Sequence, residues 1–190
     1  MREPVENTFG RVGEALCAML RQALSPWPVG EAENIALDTP AHTDGNCRLG
    51  VFLYDLQEFT TLSPGRFRYD AAGERVTPLP VPFELSYMLY CNEAQSFGGR
   101  PLGEDHRLLA AAADAVCLHG ALPLEGQSEP VTLRFARLEF AQKTQLWSSF
   151  QRALQPALYL VAAPVLEAPG RRETAPRVRT VEVKGGRKNE

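Results

Sequence analysis

The sequence predicts an α+β protein: a mostly antiparallel, in part mixed, β-sheet packed by three to four helices. One domain is expected over residues 1–169, with a basic C-terminal arm at 170–190. Three observations predict this. The phrase VPFELSYMLYCNE at 81–93 alternates like a strand, and segments 4–24 and 104–118 repeat apolar residues at helical spacing. The remaining strand-like phrases follow one another too closely for the helical crossovers of a regular βαβ series.

The first helix opens at Pro4, where a missing N–H costs nothing. Val5, Phe9, Val12, Leu16, Leu20 and Leu24 then form one stripe, and Ser25-Pro26-Trp27-Pro28 stops it. Residues 26–46 are rich in Pro, Gly, Asp and Asn and read as loop, with a short strand at Asn34–Leu37. RLGVFLYDLQEF, residues 48–59, is a strand with apolar residues on both faces from Leu49 to Leu56, as suits one covered on each side or set in an interface. Within 60–82, Arg66–Tyr69 is placed to pair with Glu74–Thr77 across Ala71-Ala72-Gly73. In the strand at 81–93, Phe83, Leu85, Tyr87, Leu89 and Cys91 share one face; Glu84, Ser86, Met88, Tyr90 and Asn92 share the other.

A loop at 94–103 leads to a helix over Glu104–Leu118, whose acidic start suits the positive end of its dipole. Leu108, Leu109, Ala112, Val116 and Cys117 mark its buried side, and Gly120 ends it. After a loop at 121–130, Val131, Leu133 and Phe135 alternate. Leu138 and Phe140 continue in the opposite parity, which predicts a bulge or bend near Ala136. From Phe140, positions Thr144, Trp147, Phe150 (or Gln151) and Leu154 are helically spaced, and Pro156 closes the helix. The last long strand is Ala157–Glu167. Pro164 lacks an N–H, so this strand is expected at a sheet edge or bulged. In the arm, Val178–Val183 reads as a further short strand.

Charge is unevenly placed. Residues 171–190 carry seven Arg or Lys against three Glu, a net +4, while the chain as a whole is −3, which leaves the body acidic at −7. A basic arm on an acidic body is suited to an acidic neighbour. No run of 18 apolar residues predicts a membrane span, and the opening MREPVENTFG lacks the apolar core of a secretory signal. The four cysteines, Cys17, Cys47, Cys91 and Cys117, form no CxxC and no compact disulfide frame, so reduced and mostly buried thiols of a cytosolic protein are expected.

Chemical motifs are sparse. There is no GxSxG, HExxH or phosphate-binding loop, and no cofactor is expected. Cys117 and His119 would supply half of a metal site, but no second pair lies nearby, so no metal is expected either. Tyr87 and Tyr90 fall on opposite faces of one strand with no basic residue between them, which is no platform for nucleic acid. Trp147 sits on an amphipathic helix, where tryptophan serves as core or as subunit contact. Phe150, Tyr159 and Val161 are grouped with it in that role.

Four ordered phrases carry a resemblance: LGVFLYDLQEF, VPFELSYMLY, DHRLLAAAADAVCLHG, and VTLRFARLEFAQKTQLWSSFQRALQPALYLVAAPVL with its Leu146-Trp147 pair and Tyr159. Over roughly residues 5–168 the chain resembles the cap, or tail-terminator, proteins of phage-tail-like extracellular contractile injection systems. Two departures stand out: Pro164 interrupts a strand that is continuous in the family, and Gln155-Pro156-Ala157 replaces its polar start. The resemblance implies a structural, non-enzymatic protein that closes into a ring, expected to be hexameric, at the baseplate-distal end of the particle. The ring would sit on inner tube and sheath and stop both from polymerising. Its implied partners are further copies of itself and the sheath and inner-tube proteins, with no nucleic acid and no membrane. The implied location is the cytoplasm during assembly, then a released or cytosolic particle. Under this reading the edge strand at Ala157–Glu167 and the arm, through Arg177, Val178, Arg179, Val181 and Val183, would make contacts across subunits. The competing readings are another ring or baseplate component of such a particle, an adaptor domain, and a small cytosolic enzyme with a cryptic site at His106, Cys117 and His119.

Overall fold

A computed structural model describes residues 8–25, 34–42, 47–58, 67–69, 75–78, 81–92, 102–125, 129–167 and 175–176. Along the chain these form α1 (Thr8–Leu24), β1 (Ile35–Leu37), β2 (Leu49–Glu58), β3 (Phe67–Tyr69), β4 (Arg75–Pro78), β5 (Val81–Cys91), α2 (Leu102–Leu118), β6 (Ala121–Leu122), β7 (Val131–Phe135), α3 (Phe140–Ser149), β8 (Ala157–Glu167) and β9 (Ala175–Pro176). Six strands make one sheet in the order β1-β2-β5-β8-β7-β6, and β3-β4-β9 make a second, smaller one. Every pairing is antiparallel except β1 with β2. The α+β class and the mixed, mostly antiparallel sheet are as the sequence predicts.

The alternation in β5 decides the layering. Leu85, Tyr87 and Leu89 point into a core shared with Val12, Leu16 and Leu20 of α1 and Leu108, Ala112 and Val116 of α2. Met88 and Tyr90 point the other way, into a separate cluster with Trp147 and Tyr159. Burial on both faces explains why β5 reads as almost continuously apolar after Ser86. The core of α1 begins at Val12 and follows its predicted stripe to Leu24; Pro4 and Val5 lie outside the described residues.

The hairpin expected within 60–82 is present as β3 and β4, with Phe67 opposite Pro78 and Tyr69 opposite Val76. β9 extends it, pairing Ala175 with Val76, whereas Val178–Val183 lies outside the described residues.

Four expectations are decided or corrected. First, of the two alternatives for β8, edge or bulge, the bulge holds and the edge does not. The strand lies between β5 and β7, and Pro164 is absorbed by a bulge: Phe83 pairs with Val165 but Leu85 with Ala162, so β8 carries one extra residue there. Pairing with β7 also stops at Ala163, so the missing N–H of Pro164 leaves no ladder bond broken. Second, the bulge or bend expected near Ala136 is the end of a strand: Leu138 does not continue β7, while Phe140 begins α3 as its helical spacing predicts. β7 ends at Phe135, the Ala136 N–H donates to the Tyr159 carbonyl, and Glu139 caps α3 with its N–H on Gln142 Oε1 at 2.9 Å. Third, α3 ends well before Pro156. Gln151 takes φ 57°, its N–H donates to the Ser148 carbonyl, and the Arg152 N–H donates to the Trp147 carbonyl, a Schellman turn that leaves Leu154 outside the helix. Fourth, Cys117 is exposed, because the buried line of α2 runs through Leu108, Leu109, Ala112, Ala115 and Val116 and turns Cys117 outward.

Candidate functional site

The residues that could carry chemistry do not converge. His106 and Cys117 are eleven positions apart on α2, which at about 1.5 Å per residue separates them by about 16 Å. Among the described residues no group of three or more His, Cys, Asp or Glu is placed to hold a metal. Burial pushes the thiols of Cys17 and Cys47 up to about 11, so both stay protonated near neutral pH and are poor nucleophiles. What the architecture offers is surface: two sheet faces and the open strand edges.

The outer face of the six-stranded sheet is covered by α3. Trp147 is 1% exposed and lies edge-to-face on Tyr90 with ring centroids 6.1 Å apart. Its indole N–H donates to the Tyr159 hydroxyl at 3.2 Å. Phe150 meets Phe52 edge-on at 5.2 Å, and the Lys143 ammonium lies 5.6 Å from the Tyr159 ring centroid. Gly50 makes room for this cluster: a Cβ there would run into the Tyr90 ring. Of the residues singled out beforehand, Trp147, Tyr159 and Val161 are buried within the chain and Phe150 is half-buried. Arg177, Val178, Arg179, Val181 and Val183 lie outside the described residues. Beyond α3 the outer face turns polar. The Arg134 guanidinium bonds Glu84 at 2.7 Å, and an open groove of about 730 Å³ runs past Tyr54, Ser86, Arg137 and Gln142.

The flank of β2 was not legible beforehand. β1 pairs only Leu49–Val51, and the Asp38 N–H adds one bond to the Val51 carbonyl. β2 runs on to Glu58. Among the described residues, then, nothing pairs with Phe52–Glu58 on the side away from β5. A cavity of about 480 Å³ opens in line with β1, lined by Phe9 and Gly13 of α1, Leu37, Val51, Leu53 and Tyr87. Leu37 and Leu56 are large apolar residues left 46% and 42% exposed on this flank. The one advance signal was the mismatch between a strand of about four residues at Asn34–Leu37 and a long one after it.

Comparison with known proteins bears on what such faces meet. The chain matches the family described as the Pvc16 N-terminal domain over residues 11–180. Two solved structures share its fold. One is the sheath/tube terminator of an extracellular contractile injection system, PVC, in the extended state: 21% identical, TM-score 0.61, covering 94% of this chain and 63% of that one. The other is the anti-feeding prophage cap, the AFP tube-terminating cap: 19% identical, TM-score 0.60, covering 91% of this chain and 60% of that one. The chain thus spans about three-fifths of the length of these solved structures. No curated protein matches it. Among the described residues no helix is long and apolar enough to cross a membrane.

Proposed function

This chain belongs to the family of Pvc16 N-terminal domains, and from that premise we propose that it is a structural cap that ends the tube and sheath of a contractile injection system. The observation that carries this reading is the family match over residues 11–180, supported by a fold shared with two terminators. The role is one of shape. Copies associate head to tail into a closed ring, hexameric in this reading, through unlike surfaces. One side of the ring fits the last tube and sheath subunits, and the far side offers an incoming subunit no equivalent face. Assembly takes place in the cytoplasm, and the cap stays with the finished particle. The two-helix core gives such a ring a rigid body, and the separately packed outer face supplies a second, differently made surface.

Particle-producing cells lacking this chain provide the test. Electron micrographs should show tails of scattered length, with normal lengths restored by supplying the chain. Tails of uniform, unaltered length would overturn the proposal. A gold-labelled tag on the chain should mark the end of the particle opposite the baseplate; a label at the baseplate would make it a baseplate component instead.

A further inference from the structure

We propose that the β2 edge over Phe52–Glu58 receives residues Arg177–Lys184 of a second copy of this chain as an added antiparallel strand. The inference rests on the ring reading above, because exchange around a ring gives every edge one arm.

Three observations carry it. The edge itself is seven residues long and has no strand beside it among the described residues. The cavity in line with β1 gives an added strand a place for apolar side chains, between Leu37, Val51 and Leu53. The occupant is then selected by length, pattern and charge. The described chain ends at Pro176, already paired into the small sheet opposite Arg75. Fourteen residues follow, with five Arg or Lys against two Glu.

As a strand, Arg177, Arg179, Val181 and Val183 fall on one face. On β2 the residues facing the inner core are Val51 and Leu53 and, after the bulge between Leu53 and Asp55, Leu56 and Glu58. Because Leu37 of β1 already occupies the side of Val51, antiparallel pairing sets Val183 beside Leu53 at the cavity mouth, Val181 beside the exposed Leu56, and Arg179 beside Glu58. The parallel alternative would put arginine beside Leu53 and valine beside the Glu58 carboxylate, so the pattern selects one direction. The middle of the edge is guarded by Asp55, whose carboxylate accepts from the Leu56 N–H at 2.9 Å and from Gln57 Nε2 at 2.6 Å. A basic strand can draw that carboxylate off, whereas a neutral or acidic strand would leave it in place.

Amide exchange on the full-length protein tests the site, comparing wild type with the double variant Val181→Asp, Val183→Asp. Backbone amides within Phe52–Glu58 should exchange at least about tenfold faster in the variant, with α1 and α2 unchanged. Equal exchange at the edge would overturn the proposal. Charge reversal at Arg177→Glu with Arg179→Glu should weaken the same protection, more so at low salt. Native mass spectrometry tests the exchange between copies: wild type should populate oligomers that the valine variant loses. A monomeric wild type with a protected edge would show the arm folding back on its own chain and would overturn the exchange. A wild-type edge at Phe52–Glu58 that is unprotected, with tail length still controlled in cells, would sink this inference and leave the proposed function standing; a protected edge and arm-dependent oligomers, with tail length unchanged when the chain is removed, would overturn the proposed function and support the strand exchange.

Discussion

On the inner face of the six-stranded sheet lie α1 and α2, seventeen residues each; on the outer face the described helix is α3, of ten residues. The inner face is held by aliphatic packing of Leu16, Leu20, Leu85, Leu89, Leu108 and Leu160, all 0–1% exposed. The outer face is held by rings, Trp147 on Tyr90 and Phe150 on Phe52, with one buried hydrogen bond from Trp147 to Tyr159. The first arrangement spreads its stabilisation over many interchangeable methyl groups. The second concentrates it in a few shapes that must fit. A rigid body with a separately docked outer layer is a suitable construction for a part that must keep its own fold while meeting different neighbours on its faces.

The comparison is broken most directly by removing one large side chain from each face. Leu16→Ala should cost about 2–5 kcal/mol, because Leu16 is fully buried between helix and sheet and the cavity cannot easily collapse. Its effect should be global, with faster amide exchange in α1, α2 and β5 together. Trp147→Ala removes a larger side chain, but its loss is limited to what docking α3 contributes. Exchange in Phe140–Ser149 should rise sharply while α1 and α2 keep their protection. Equal loss of protection in α1 in both variants would mean that the two faces unfold as one unit, and the distinction would fall.

A smaller effect is expected where the layers are joined through the sheet itself. Gly50 pairs with Tyr90 across β2 and β5, and the Tyr90 ring lies over it. Gly50→Ala should cost about 1–3 kcal/mol in a urea titration, since a backbone-fixed methyl must displace a ring that is itself held by Trp147. The cost should shrink in a Tyr90→Leu background. An unchanged cost there would place the strain in the strand backbone and not in the ring contact.

How much of this was readable beforehand follows the distance over which each feature is decided. The alternation of β5 and the stripe of α1 are local, and both faces of β5 were assigned correctly residue by residue. The place of β8 in the sheet is set by strands far away in the chain. Pro164 predicts an edge or a bulge because an interior proline normally breaks a ladder, and only the register with Phe83 and Leu85 decides for the bulge. Phe140 carries two signals, the end of an apolar rhythm and the start of a helical spacing. It begins the helix and stays 73% exposed, because the cap at Glu139 and Gln142 outweighs the alternation. The β2 flank was illegible for the same reason as β8: a missing partner strand leaves no mark in the residues of the strand that lacks it.

The smallest effect concerns how α3 is ended on the outer face. Gln151 holds φ 57° in the Schellman turn, a conformation that costs a side chain with a Cβ about 1 kcal/mol and glycine almost nothing. Gln151→Gly should therefore stabilise the turn by about 0.5–1 kcal/mol, less the extra freedom glycine gains in the unfolded chain. For a chain of this length that is a rise of about 1–3 °C in melting temperature. The sharper measurement is again local. If α3 undocks before the two-helix core opens, slower exchange should appear within Phe140–Ser149 and leave α1 untouched. If α1 slows equally, α3 is part of the same cooperative unit as the inner core, and the outer layer cannot be the separately adjustable surface that a cap facing several partners would use.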